Sequence, residues 1–140
     1  MSAQWVPVAV RVAVQQRAGG CCEYYRIHEE DVLVPHEPDH IIAEQHGGQA
    51  TEENLAFACY HCNRNKGTNL ASIDLETGQT VFLFRPRLDS WPEHFKLEGA
   101  RIVPLTPAGR ATAALLHFNS PARVEFRETL ASAGRFPIHQ

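Results

Sequence analysis

The 140-residue chain has no apolar run long enough to cross a membrane, no signal-peptide pattern at its N-terminus, and no internal repeat or low-complexity tract. A membrane span, a secretory leader and a repeat architecture are therefore not expected. The expectation is then one domain over residues 1–140, large enough for a real core, with the cytoplasm as the default location. Cysteine is sparse, four residues placed as the doublet Cys21-Cys22 and the pair Cys59-x-x-Cys62. That placement suits a reducing compartment better than a disulfide framework. An excess of positive charge is also missing. The formal net charge is -3, with 5 Lys and Arg against 10 Asp and Glu in residues 1–74, and 8 against 6 in residues 75–140. Binding to a nucleic-acid backbone should then be weak or salt-sensitive unless the cations gather on one face.

What the chain does have is concentrated between Asp39 and Gly67. This stretch joins Asp39-His40, the Gly47-Gly48 turn, Asn54-Leu55 and Cys59-x-x-Cys62-Asn63-x-x-Lys66-Gly67. Asp39 to Ile42 and Leu55 to Cys59 read as strands, and His61 to Lys66 as a short helix with Gly67 as the left-handed residue past its end. A hairpin packed on one helix would bring Asp39 and His40 opposite Asn63. Carboxylate, imidazole and amide together suit metal-assisted phosphodiester hydrolysis. A hard divalent cation such as magnesium takes oxygen ligands from one or two protein groups, here Asp39 and Asn63, and keeps its other positions for water and phosphate. Imidazole, the ring of His40, is the side chain best suited to take a proton from water near neutrality. The Asn54 amide is placed to bond backbone across the loop.

At these residues the sequence resembles the HNH endonuclease family, whose motif runs Asp-His, then Asn, then a second Asn or His on the helix. The resemblance implies an α+β fold with a ββα-metal (His-Me finger) core at about 21–70. It also implies an N-terminal helix and a C-terminal strand-plus-helices extension over about 71–140. It further implies a magnesium-dependent or other divalent-metal-dependent enzyme acting on DNA, with Asp39 and Asn63 as metal ligands, His40 as general base and Asn54 as the central asparagine. Arg17 to Tyr24, and Leu83 to Arg87 with Trp91, His94-Phe95 and Gly109 to Thr112, are similar to segments that flank the motif in such proteins. Family members often hold a structural zinc between two C-x-x-C pairs. Here the first pair reads Cys22-Glu23-Tyr24-Tyr25, so Cys22, Cys59 and Cys62 are candidate ligands and a phenol stands in the fourth place. Cys21 and His28 are the other candidates for that place, and four reduced thiols without metal are the alternative.

Arg64, Lys66 and His46 are candidate substrate contacts, although solvated helix-end cations and an exposed loop histidine read the same way. Residues 5–18 admit two periods: Val6 to Val14 alternate as in a strand, whereas Pro7 and Gly19-Gly20 bracket a helix. Val32 to Val34 is expected as a strand and Val81 to Phe84 as another. Arg101 to Leu105 is a further strand candidate. Thr106-Pro107 and Ser120-Pro121 mark two helix starts, and Trp91 and Phe95 are expected to pack on the ββα unit. The competing function is a non-catalytic zinc-ribbon-like nucleic-acid-binding module, which would not need Asp39, His40 and Asn63 together.

Overall fold

The computed structural model describes residues 5–138. Among them, five helices and three two-stranded antiparallel sheets make an α+β fold. No helix among the described residues is long and apolar enough to cross a membrane. Two compact units divide the chain, the first ending at Leu70 and the second beginning at Ala71.

The first unit opens with helix α1 (Val8–Arg17). Its valines resolve the two periods. Val6 and Val10 pack against a buried cluster of Val14, Ala18, Leu55 and Phe57, an i, i+4 stripe characteristic of a helix face. Val8 and Val12 are 71% and 41% exposed, so the alternation carries no strand. Strands β1 (Glu37–His40) and β2 (Leu55–Ala58) pair antiparallel, with Asp39 opposite Ala56 and His40 opposite Leu55. Pro38 is tolerated because β1 is paired on one side only. Helix α2 (Tyr60–Lys66) follows β2 directly, capped by the Cys59 sulfur, which accepts from the Cys62 amide. Gly67 ends it with φ 53 and ψ -127. This is a glycine conformation, though not the left-handed helical one expected.

Arg17 ties α1 to the start of β2, donating to the carbonyls of Glu52 at 2.7 Å and Leu55 at 2.5 Å. Glu23 lies along the free edge of β2, its amide donating to the Phe57 carbonyl at 2.8 Å and its carboxylate accepting from the Phe57 amide at 2.7 Å. That pairing sets Cys22 and Tyr24 beside the strand–strand–helix unit. Val32 to Val34 form a bend, not the expected strand. Three apolar residues have no partner strand there, and Leu33 is fully exposed.

In the second unit β3 (Ala71–Ile73) pairs with β4 (Thr80–Phe82), and β5 (Phe95–Glu98) with β6 (Arg101–Pro104). The expected strand near residue 81 thus ends before the buried Leu83 and Phe84. Helix α3 (Trp91–His94) leads into β5, and α4 (Pro107–Leu115) and α5 (Pro121–Ser132) complete the unit. Thr106 caps α4 through its hydroxyl, which accepts from the Gly109 amide at 3.0 Å, whereas Ser120 makes no side-chain cap bond to α5. Phe95 lies in this unit's own core, its ring centroid 5.1 Å from Trp91, 5.6 Å from Phe84 and 5.5 Å from Phe118. The Asp74 carboxylate closes the β3–β4 turn, accepting from the Glu76 amide, the Thr77 hydroxyl and both Nε and Nη2 of Arg110.

Candidate active site

The loop between β1 and β2 is shaped by Asn54. Its Oδ1 accepts from the Ile42 amide at 2.9 Å, and its Nδ2 donates to the carbonyls of Ile42 and Gln49, both at 3.0 Å. The Ile41 amide donates to the Asn54 carbonyl at 2.9 Å, continuing the pairing past His40. Gly48 sits against this clasp. A Cβ there would lie 1.7 Å from the Ile42 carbonyl oxygen and 2.8 Å from Asn54 Nδ2, so no larger residue fits.

A cavity of about 400 Å³ opens beside β1, walled by Asp39 and His40 from the strand, Asn63 from α2, and Gly67 and Thr68 beyond the helix. Glu37 and Glu44 line it as well. The three residues singled out in the sequence therefore line one cavity, with two further carboxylate residues at hand. His46 is exposed on the turn after Glu44 and does not line this cavity. Arg64 lines a neighbouring one.

Lys66 lies elsewhere than a substrate contact would. It is 2% exposed, and its Nζ donates to the His40 carbonyl at 3.0 Å and stands 3.2 Å from Asp39 Oδ2. The Tyr24 hydroxyl donates to the same oxygen at 3.0 Å. Burial raises the Asp39 pKa above the ordinary carboxylate value, opposed by the Lys66 charge and by the bonds from Lys66 and Tyr24. Both side-chain bonds fall on Oδ2, and among the described residues no side-chain hydrogen bond to the other carboxylate oxygen accompanies them, although His40 also acts on the carboxylate through its charge. One free carboxylate oxygen and an amide oxygen on a common cavity fit a hard divalent cation. Tyr24 was not legible as a site residue. Its signal was only its place in the Cys22-Glu23-Tyr24 run, two residues from a candidate metal ligand.

The sulfurs of Cys22, Cys59 and Cys62 lie within 4.8 Å of one another, all buried. Sulfurs around a shared zinc stand about 3.8 Å apart for bonds of roughly 2.3 Å, so the cluster needs little adjustment to hold one. Backbone amides already point at two of them, Tyr25 N–H to Cys22 at 3.3 Å and Cys62 N–H to Cys59 at 3.5 Å. Burial, with the Cys22 thiol donating to Cys59, pushes the Cys22 thiol up to about 11, and burial likewise raises Cys62. Neither Cys21 nor His28 belongs to the cluster; Cys21 bridges to His28, whose Nδ1 accepts from the Glu30 amide.

A strand–strand–helix unit thus brings carboxylate, imidazole and amide to one cavity, and the same unit contributes to a buried three-thiol cluster. Residues 22–69 match the family described as HNH endonuclease. No curated protein and no solved structure matches the chain.

Proposed function

We propose that the protein is a divalent-metal-dependent DNA endonuclease built on a ββα-metal core, with His40 as general base and Asp39 and Asn63 holding the cation. The observation that carries this reading is the meeting of Asp39, His40 and Asn63 on one cavity inside the stretch matched to HNH endonucleases. Bound there, magnesium or a similar ion would stabilise charge developing on the phosphate and on the leaving 3′ oxygen. The chain's own groups do the rest. The His40 ring takes the proton of the attacking water. The Asn54 clasp holds the backbone just past His40, and Lys66 and Tyr24 fix one oxygen of Asp39 so that the other is presented to the cavity. One such site makes one nick per encounter.

The test is conversion of supercoiled plasmid with magnesium or manganese, with and without chelator, by wild type and His40→Ala side by side. Cutting that needs metal and falls roughly a hundredfold or more in the variant is expected for loss of a general base. Wild-type cutting by a folded His40→Ala protein overturns the mechanism. Metal-independent binding without cutting favours the non-catalytic module.

The thiol cluster supports a structural zinc as a separate metal, held by Cys22, Cys59 and Cys62 with Tyr25 where a fourth ligand is wanted. A phenol is a poor zinc ligand at neutral pH. Protein purified without added metal is expected to carry less than one zinc per chain by elemental analysis. Tyr25→Cys is expected to carry a full equivalent and to unfold at higher temperature in zinc-containing buffer. A full equivalent on the wild type would mean that another side chain completes the site.

A further inference from the structure

A second cavity, about 350 Å³, adjoins the first and is lined by Val34, Pro35, Glu37, Tyr60, Asn63 and Arg64. Glu37 and Asn63 are common to both, so the two cavities adjoin across these side chains. The walls differ in chemistry. Tyr60, the first residue of α2, is 44% exposed and presents an aromatic ring, while Val34 and Pro35 are exposed and apolar. Arg64 pins the ring, its guanidinium carbon 5.8 Å from the ring centroid and its Nη1 donating to the Tyr60 hydroxyl at 2.5 Å. The His61 ring meets Tyr60 edge-on at 5.6 Å. An aromatic face held in this way loses little freedom when a flat ligand stacks on it.

We propose that this cavity receives an unpaired nucleobase next to the scissile phosphate, and that the substrate is therefore single-stranded or locally unpaired DNA. The inference rests on the endonuclease reading above, which puts a phosphate beside Asn63. Two observations favour a single strand over a duplex. Residues 1–74 carry 5 cations against 10 anions, and Glu37 and Glu44 face the catalytic cavity, so little affinity can come from neutralising two rows of phosphates. Base–aromatic stacking is the other large contribution open to a protein, and every base has a face to offer. In a paired duplex that face is hidden. Arg64, exposed at the same cavity, supplies the cation for a flanking phosphate, while Glu37 on the shared wall repels phosphate and keeps it toward the Arg64 end.

The experiment is fluorescence anisotropy of full-length protein, with chelator present to stop cutting, on a labelled oligo(dC) 12-mer, its duplex with oligo(dG), and a 12-mer with abasic sites in place of bases. The 12-mer with bases should bind at least about tenfold tighter than the duplex. Tyr60→Ala should remove most of that preference, Tyr60→Phe should keep it, and neither should change binding to the abasic strand. Arg64→Ala should weaken both single strands. In single-strand cleavage, Tyr60→Ala should raise KM and leave kcat near the wild-type value. Equal affinity for single strand and duplex, or an unchanged Kd in a folded Tyr60→Ala protein, overturns the proposal. Single-strand preference without any metal-dependent cutting would instead leave this cavity standing and remove the catalytic reading.

Discussion

Two buried carboxylates, one in each unit, meet a cation and end in opposite states. Asp74 is grasped by Arg110 through two parallel bonds of 2.9 Å, and it also accepts from the Glu76 amide and the Thr77 hydroxyl. The Arg110 bonds, followed by those from Glu76 and Thr77, hold its pKa down at about 2 against the opposing effect of burial. Asp39 has one lysine and one phenol, both on Oδ2, and burial outweighs them, so its pKa lies above the ordinary value. A carboxylate whose lone pairs are all used is a strut. One that is buried yet half satisfied is held ready for a further cation, and that incompleteness separates the candidate site from the scaffold.

The sharpest way to break this contrast is to remove the Asp39 cation. Lys66→Met leaves a carboxylate with 4% exposure that keeps Tyr24 as its hydrogen-bond donor and His40 nearby but has lost its lysine, and it strips the His40 carbonyl of the Lys66 donor. Loss of one partner of a buried pair costs about 3 kcal/mol or more, so Lys66→Met should lower the denaturant midpoint substantially. The double variant Lys66→Met/Asp39→Asn should recover much of the loss, because the uncompensated charge is gone. Equal midpoints for wild type and Lys66→Met in chemical unfolding would show that the lysine is not a partner of Asp39 in solution and would return it to the surface.

That lysine also shows where the sequence was legible and where it was not. The strand, loop, strand and helix between residues 37 and 66 could be read because their signals are local: β-branched and apolar runs, two glycines, and a glycine after the helix. The asparagine clasp was readable too, since an amide needs only nearby backbone. Lys66 was not, because a lysine in the last turn of a helix before Gly67 looks solvated, and its burial depends on Tyr24 and Asp39 converging from 42 and 27 residues away. Tyr60 was passed over as a spacer in the Cys59-x-x-Cys62 pair, with no local mark of the cavity it lines. Ala71–Ile73 was missed as a strand for a similar reason. Its residues signal little alone, and the Asp74 turn that returns the chain to β4 is completed by Arg110, 36 residues later.

The Asp74 side of the contrast makes a smaller and pH-dependent prediction. Because its pKa in the folded protein is about 2 and that of an unfolded aspartate is about 3.9, the unfolded chain binds more protons between those values. Stability from this group is then fully present above about pH 4 and is lost as pH falls toward about 2. Asp74→Asn removes the charge paired with Arg110 at every pH. The variant should therefore unfold at lower temperature than the wild type at pH 6, as reported by the loss of secondary structure in circular dichroism. The gap should narrow as pH drops from about 4 and close only below about 2, where the wild-type carboxyl becomes protonated as well. Other carboxylates will lower both midpoints in acid, but they do so equally and leave the difference to Asp74. A gap that stays constant down to pH 2 would mean that the Arg110 clamp does not depress the Asp74 pKa, and the distinction between a saturated carboxylate and a ready one would lose its reference.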